Sequence, residues 1–194
     1  MTAGPADGGN PVGGGNSAGG GNPADGGGPP AGGGTPAEAI RLLAGRGLTV
    51  GTAESLTGGL VAAALTTVPG ASAVFRGGIV AYAGDLKSTL LGVPADLLDR
   101  VGTVHADVAM AMALGALARM SVSASVATTG VAGPDPVDGY PVGTVHIAVA
   151  VPGDQRPRVL HRELSLAGDR DQIRNETVRR ALNLLVEALM EDNA

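Results

Sequence analysis

The chain has 194 residues, is 44% hydrophobic and 16% charged, and carries a formal net charge of −5. With three aromatic residues (Phe75, Tyr82 and Tyr140), that balance argues against general nucleic-acid binding, which needs clustered cations and stacking rings. The absence of cysteine excludes disulfides, thiolate zinc sites, iron–sulfur clusters and a cysteine nucleophile, and it fits a reducing cytoplasm.

Residues 1–34 hold 15 of the 33 glycines and 5 of the 13 prolines, with GGG at 13–15, 19–21, 26–28 and 32–34. This low-complexity stretch cannot bury enough apolar surface to offset its ordering entropy, so a disordered tail is expected there. Its only ionisable side chains are Asp7 and Asp25, which leaves −3 on a single domain over 35–194. No signal-peptide pattern follows Met1, and no apolar run reaches the roughly 18 residues that span a bilayer. The expectation is a cytoplasmic chain with no membrane association.

Thr35, Pro36 and the glycines at 45 and 47 frame a helix over 36–43. A short buried strand over 48–53 comes next, then a helix over 57–67 capped by Thr57 and ended by Pro69-Gly70. Residues 74–82 read as a strand broken at Gly77-Gly78. Short helices are expected at 87–91 and 95–101, and a longer one at 106–120. That longer helix is apolar nearly all round, so it is either sandwiched in the domain or half of an interface between copies, as in a homo-oligomer. Strands at 123–129, 143–151 and 157–166 precede a final helix from Gly168-Asp169, with Val178, Leu182, Leu185, Val186 and Leu189 as its core stripe. Interleaved helices and strands with consecutive strands at the end predict an α/β layered domain with a mixed sheet.

Three strand ends carry candidate chemistry. Thr52 to Gly59 turns a strand into a helix, placing Ser55 as a possible nucleophile beside amides at Thr57, Gly58 and Gly59 that suit an oxyanion or phosphate; a capped turn with glycines for packing is the structural alternative. Tyr82 to Lys87 holds the only lysine among thirteen cationic side chains. An arginine cannot give up its proton, whereas a buried lysine near a helix start can serve as a base; a solvated surface lysine is the alternative. Thr129 and Gly130 open a third strand-end loop that runs to Pro134. Arg76 and Arg174 are candidate cations for an anionic ligand. The three histidines, His105, His146 and His161, do not read as a set, and none is spaced for a metal site.

Taken together, AESLTGG at 53–59, FRGGIVAYAGDLK at 75–87, LLGVP at 90–94, TGVAGP at 129–134, PVGTVHIAV at 141–149 and GDRDQIR at 168–174 resemble the C-terminal domain of the CinA competence/damage-inducible family. That domain is also found as a stand-alone nicotinamide-nucleotide amidohydrolase. The resemblance implies a three-layer α/β/α sandwich and hydrolysis of nicotinamide mononucleotide, a pyridine nucleotide, to the acid and ammonia. It implies a site built on Ser55 and Lys87 with Tyr82 and Thr129 beside them, and no metal or cofactor. Three positions depart from the family pattern: Ala83-Gly84 replaces the usual Ser-Asn, and Leu56 replaces a cysteine. A non-catalytic nucleotide- or partner-binding module, or an amidase for another small amide, are the competing readings.

Residues 1–34 carry neither core nor chemical motif. Their deletion is expected to leave the melting temperature and turnover nearly unchanged, and a large drop in melting temperature would count against the entropy argument.

Overall fold

A computed structural model of the chain describes Met1 and residues 34–191; the segment expected to be a disordered tail lies, apart from its two end residues, outside the described residues. Thr35 caps α1 (Pro36–Gly45), its hydroxyl accepting the Glu38 amide at 3.1 Å. β1 (Val50–Glu54) is buried throughout and leads through a turn at 55–59 to α2 (Leu60–Thr66). A 3-10 turn at Ala71–Ala73 precedes β2 (Phe75–Val80). Then come α3 (Gly84–Leu91), α4 (Ala95–Val101), α5 (Ala106–Met120) and β3 (Ala124–Gly130). β4 (Thr144–Val151) and β5 (Arg158–Ser165) are followed by α6 (Arg170–Glu191). Asp169 starts α6 with a reciprocal cap: its carboxylate accepts the Gln172 amide at 2.9 Å while the Gln172 side chain accepts the Asp169 amide at 2.8 Å.

The sheet order is β2-β1-β3-β4-β5. β1 pairs in parallel with β2 and β3, while β3–β4 and β4–β5 are antiparallel. Alternation along the strands sends Val50, Val126, Val145, Ile147 and Val149 to the face covered by α1, α2 and α6. The opposite face presents Ala53, Ala127, Ala148 and Ala150 to α3, α4 and α5. This is the expected three-layer α/β/α sandwich with a mixed sheet. The second face is built of small residues, so α5 lies close on it. The Ser125 hydroxyl donates to the Ala113 carbonyl inside α5 at 2.7 Å, and a Cβ at Gly51 would stand 2.4 Å from Met120 Cε.

Three local expectations change, and one open alternative is decided. Gly77-Gly78 does not break β2; the register shifts instead, so that Val50 pairs with Phe75 and Gly51 with Gly77, and Arg76 bulges. α2 begins at Leu60 rather than Thr57, for a reason that lies in Glu54. α3 begins at Gly84, which puts Lys87 a full turn inside the helix. α5 buries Val108, Met112 and Ala116 within the domain and leaves Leu114 exposed. Among the described residues no helix is long and apolar enough to cross a membrane.

β1 lies between β2 and β3, so the chain leaves it first to one side and then, through α3 to α5, to the other. A sheet reversing direction in this way opens a crevice at the carboxyl ends of its strands. Glu54 ends β1 beside Val80 of β2 and Thr128 of β3, and Thr144 at the start of β4 pairs with Ser165 at the end of β5. Five strands and the start of α6 therefore share one rim.

The position of α3 depends on Gly115, where a Cβ would sit 1.9 Å from the Leu91 carbonyl oxygen. Gly115→Ala must push α3 off α5. The expected loss is about 1–3 kcal/mol in urea unfolding, and turnover should fall with it because α3 carries Lys87.

Candidate active site

Ser55 is the first residue beyond β1, and its amide donates to the Thr128 carbonyl at 3.0 Å, which ties the turn to β3. The turn itself needs glycine twice, since Gly58 and Gly59 have φ of +61° and +98°. The start of α2 is not capped by Thr57, as the sequence suggested; the Thr57 hydroxyl is buried against Thr128 Oγ1 at 2.8 Å. Instead the Glu54 carboxylate reaches forward and accepts the amides of Gly59, Val61 and Ala62 at 2.9, 3.0 and 2.8 Å. A buried acid at a helix N-terminus satisfies the unpaired donors and meets the positive end of the dipole.

Lys87 projects from α3 beneath the turn. It is 1% exposed, and its Nζ donates to the Ala81 carbonyl at 2.8 Å and to Ser55 Oγ at 3.0 Å. Burial lowers its pKa from 10.5 to about 8. A helix-start field is not needed to explain this, because Lys87 stands one turn into α3. As an ammonium it donates to Oγ; as a neutral amine it accepts the hydroxyl proton across the same distance.

Ser55 opens onto a cavity of about 210 Å³ whose wall includes Tyr82, Thr103, Thr129, Gly130, Gly133 and Arg170. Thr129 is buried and donates to the Thr103 carbonyl at 2.7 Å, so it holds the cavity wall. Gly130 lies where a Cβ would come within 2.6 Å of the Thr144 carbonyl oxygen. Tyr82 is exposed, and its hydroxyl accepts from Arg170 Nη2 at 2.7 Å, while Arg170 Nη1 donates to the Gly133 carbonyl at 2.5 Å. Larger open grooves run along α6 and beside α4, but neither is lined by a buried nucleophile.

The structure gathers only some of the other expected residues at this cavity. Arg174 lies against the Ser55 turn, with Nε donating to the Leu56 carbonyl and Nη2 to the Thr57 carbonyl, both at 3.1 Å. Arg76 sits at the start of β2, about 13 Å of strand from its end at Val80, and the structure does not bring it to the rim. The Gly58 amide donates to the Ser55 carbonyl and that of Gly59 to Glu54, so both are occupied. Within the turn, the amides of Leu56 and Thr57 make no hydrogen bond among the described residues. Sequence reasoning missed Glu54, whose signal was an acid just ahead of a helix start, and it chose Arg174 where Arg170 faces the cavity. It also missed the histidines as a group: His146 Nδ1 and His161 Nε2 stand 3.1 Å apart, and the His105 ring lies 6.3 Å from that of His146. As expected for a capping role, His105 Nδ1 accepts the Asp107 amide at 3.2 Å.

Residues 35–189 match the model of the CinA C-terminal domain. The chain belongs to that family. A CinA-like protein of Frankia casuarinae is 49% identical over 144 residues, covering 74% of this chain and 32% of the relative. Another CinA-like protein, of Parasynechococcus marenigrum, is 44% identical over 146 residues, covering 70% of this chain and 35% of its own length. The chain thus spans about a third of the length of these curated relatives. Among solved structures, a CinA superfamily protein from Klebsiella pneumoniae superposes with a TM-score of 0.76 at 30% identity, covering 80% of this chain and 96% of that one. A competence/damage inducible protein from Agrobacterium tumefaciens gives 0.72 at 41% identity, covering 80% and 97%.

Glu54 is testable without touching Ser55. Glu54→Gln keeps the shape but sets an NH₂ against backbone donors, leaving at least one amide unsatisfied. The expected loss is about 1–3 kcal/mol of stability, with lower turnover as the Ser55 turn loosens; unchanged urea unfolding would argue against the capping role.

Proposed function

We propose that this chain hydrolyses the carboxamide of nicotinamide mononucleotide to nicotinate mononucleotide and ammonia, with Ser55 as nucleophile and Lys87 as base. The observation that carries the reading is the buried Lys87 amine, 3.0 Å from Ser55 Oγ at the edge of a cavity. A serine needs a base within hydrogen-bond reach, and an amine with a pKa brought near the working pH meets that need. Ser55 Oγ attacks the amide carbon as its proton passes to Lys87. The oxyanion draws on the free amides of Leu56 and Thr57. Collapse breaks the C–N bond, Lys87 returns the proton to the leaving nitrogen, and ammonia departs from an acyl-serine ester. Water then attacks the ester, giving its proton to Lys87 and regenerating Ser55. Arg170 and Tyr82 meet the substrate's anionic end at the cavity mouth. Family membership supports the reading.

A second reading rests on Gly84. The family's usual asparagine is absent there, and a Cβ would stand 3.2 Å from Thr103 Cγ2 on the cavity wall. A different small amide would use the same dyad, and a panel of amides assayed for ammonia release separates the two.

Ser55→Ala is expected to lower turnover by several orders of magnitude with substrate binding largely kept. Lys87 gives a sharper ranking. If it is the base, kcat/KM rises with pH and levels above about 8, and Lys87→Arg is as inactive as Lys87→Ala because a guanidinium cannot take the proton. Substantial activity in the Arg variant would reduce Lys87 to a charge contact.

A further inference from the structure

The Ser55 cavity carries two opposite charges that are not paired with each other. Among the described residues that line it, Arg170 is the one permanent cation and Asp135 the one acid. Each would be the other's natural counter-ion, yet no ion pair joins them. Arg170 directs its guanidinium at two uncharged oxygens instead, the Gly133 carbonyl and the Tyr82 hydroxyl. Asp135 has no hydrogen bond or ion pair among the described residues.

Asp135 is exposed, but its loop is braced on both sides. Arg170 holds the chain at Gly133, and the bridge between Val137 and Tyr140 closes it beyond Asp135. Asp138 is fastened to the Thr103 amide and hydroxyl, both at 3.1 Å. Gly133 and Val137 line the cavity together with Asp135, and Leu56, Val104 and Val131 give it apolar walls. A charge set among low-dielectric walls acts strongly on what enters. A site for a plain anion has no use for a carboxylate, and a small neutral amide would leave both charges unmatched. A ligand with one charge of each sign would meet both.

Nicotinamide mononucleotide is such a ligand. Its ring nitrogen is alkylated by ribose, which makes the ring a pyridinium cation, and its phosphate lies at the far side of the ribose. We propose that Asp135 is a specificity-determining residue that reads the positive charge of the ring, so that the site selects N-alkylated pyridinium carboxamides over uncharged ones. This rests on the amidase reading above and narrows its substrate class. Ser55 then meets the carboxamide, Arg170 the phosphate and Asp135 the ring cation. The last contact is one of charge alone, because an alkylated ring nitrogen has no proton to donate.

The test compares nicotinamide mononucleotide with its reduced dihydropyridine form, which keeps the carboxamide, ribose and phosphate but has a neutral ring. Both are titrated calorimetrically into the full chain carrying Ser55→Ala. The oxidised ligand is expected to bind more tightly. Adding Asp135→Asn should cut that preference about two- to fivefold, as for other exposed charge pairs, by weakening the oxidised ligand and leaving the reduced one unchanged. Added salt should shrink the part of the preference that depends on Asp135. Asp154→Asn, on the turn between β4 and β5, controls for net charge and should change neither ligand. Circular dichroism checks that each variant folds. An unchanged preference in folded Asp135→Asn, or binding of neither ligand, would overturn the proposal. Ammonia release by the wild type reports separately on the amidase reading. Release with an unchanged preference removes Asp135 alone, and an Asp135-dependent preference without release removes the amidase reading alone.

Discussion

The arrangement turns on the burial of one amine. Lys87 Nζ has two protein partners, the Ala81 carbonyl and Ser55 Oγ, in a place with almost no solvent. An ammonium offers three donors, so its charged form is incompletely satisfied there. Its pKa of about 8, against 10.5 in the open, is the measure of that strain. The folded value is the lower one, so the penalty is full below pH 8 and fades as pH climbs toward 10.5. At neutral pH it is on the order of 3 kcal/mol, a large fraction of a domain's net stability. The branched face of the sheet, where Val126, Ile147 and Val149 meet Leu182 and Leu185, supplies the compensating burial. The opposite face, lined with alanine, lets the helix layer come near enough to hold the amine.

A second constraint comes from Glu54. The start of α2 would ordinarily be the place to receive an anion, but its donors are consumed by the protein's own carboxylate. An oxyanion at Ser55 must use the peptide groups of the turn itself. Arg174 bears on this although it stays outside the cavity. Its Nε holds the carbonyl of the Leu56–Thr57 peptide, and in a trans planar peptide the N–H points opposite to the C=O. Fixing the Leu56 oxygen toward Arg174 thereby aims the Thr57 amide away from it. Arg174 acts as an orienting residue for the turn, where the sequence suggested a ligand for substrate.

The layers, the mixed sheet and the convergence of three strand ends were legible because each rests on local signals: Pro36 at a helix start, the stripe along α6, and glycine-rich turns after β1 and β3. Lys87 stood out for a compositional reason, as one lysine among twelve arginines, and Ser55 because it lies where a strand turns into a glycine-rich helix start. The rest depended on distances the chain order hides. Glu54 looked like the last residue of a strand, and only the turn built on Gly58 and Gly59 brings it back onto α2. The histidines are separated by 41 and 15 residues, and they meet only through the antiparallel register of β4 with β5 and the docking of α5. Gly77-Gly78 read as a strand break because glycine weakens strands, but pairing with β1 and a bulge at Arg76 absorb it.

The rim also separates what must stay fixed from what is free to vary. Ser55, Lys87 and the groups that orient them sit at the end of β1 and on α3 and α6, braced by buried contacts. Much of the cavity wall comes from the segments at 103–104 and 131–137 that lie outside helices and strands. Thr103 is the junction between the two: its carbonyl accepts from Thr129, its amide and hydroxyl donate to Asp138, and its methyl group faces Gly84 at the start of α3. A side chain at position 84 would press on Thr103 and through it shift both Thr129 and the loop carrying Asp138. Position 84, the first residue of α3 and three residues from Lys87, therefore acts on the shape of the cavity while lying outside its lining. With glycine at position 84 no side chain presses on Thr103 there, while Ser55 and Lys87 are held together by their own hydrogen bond.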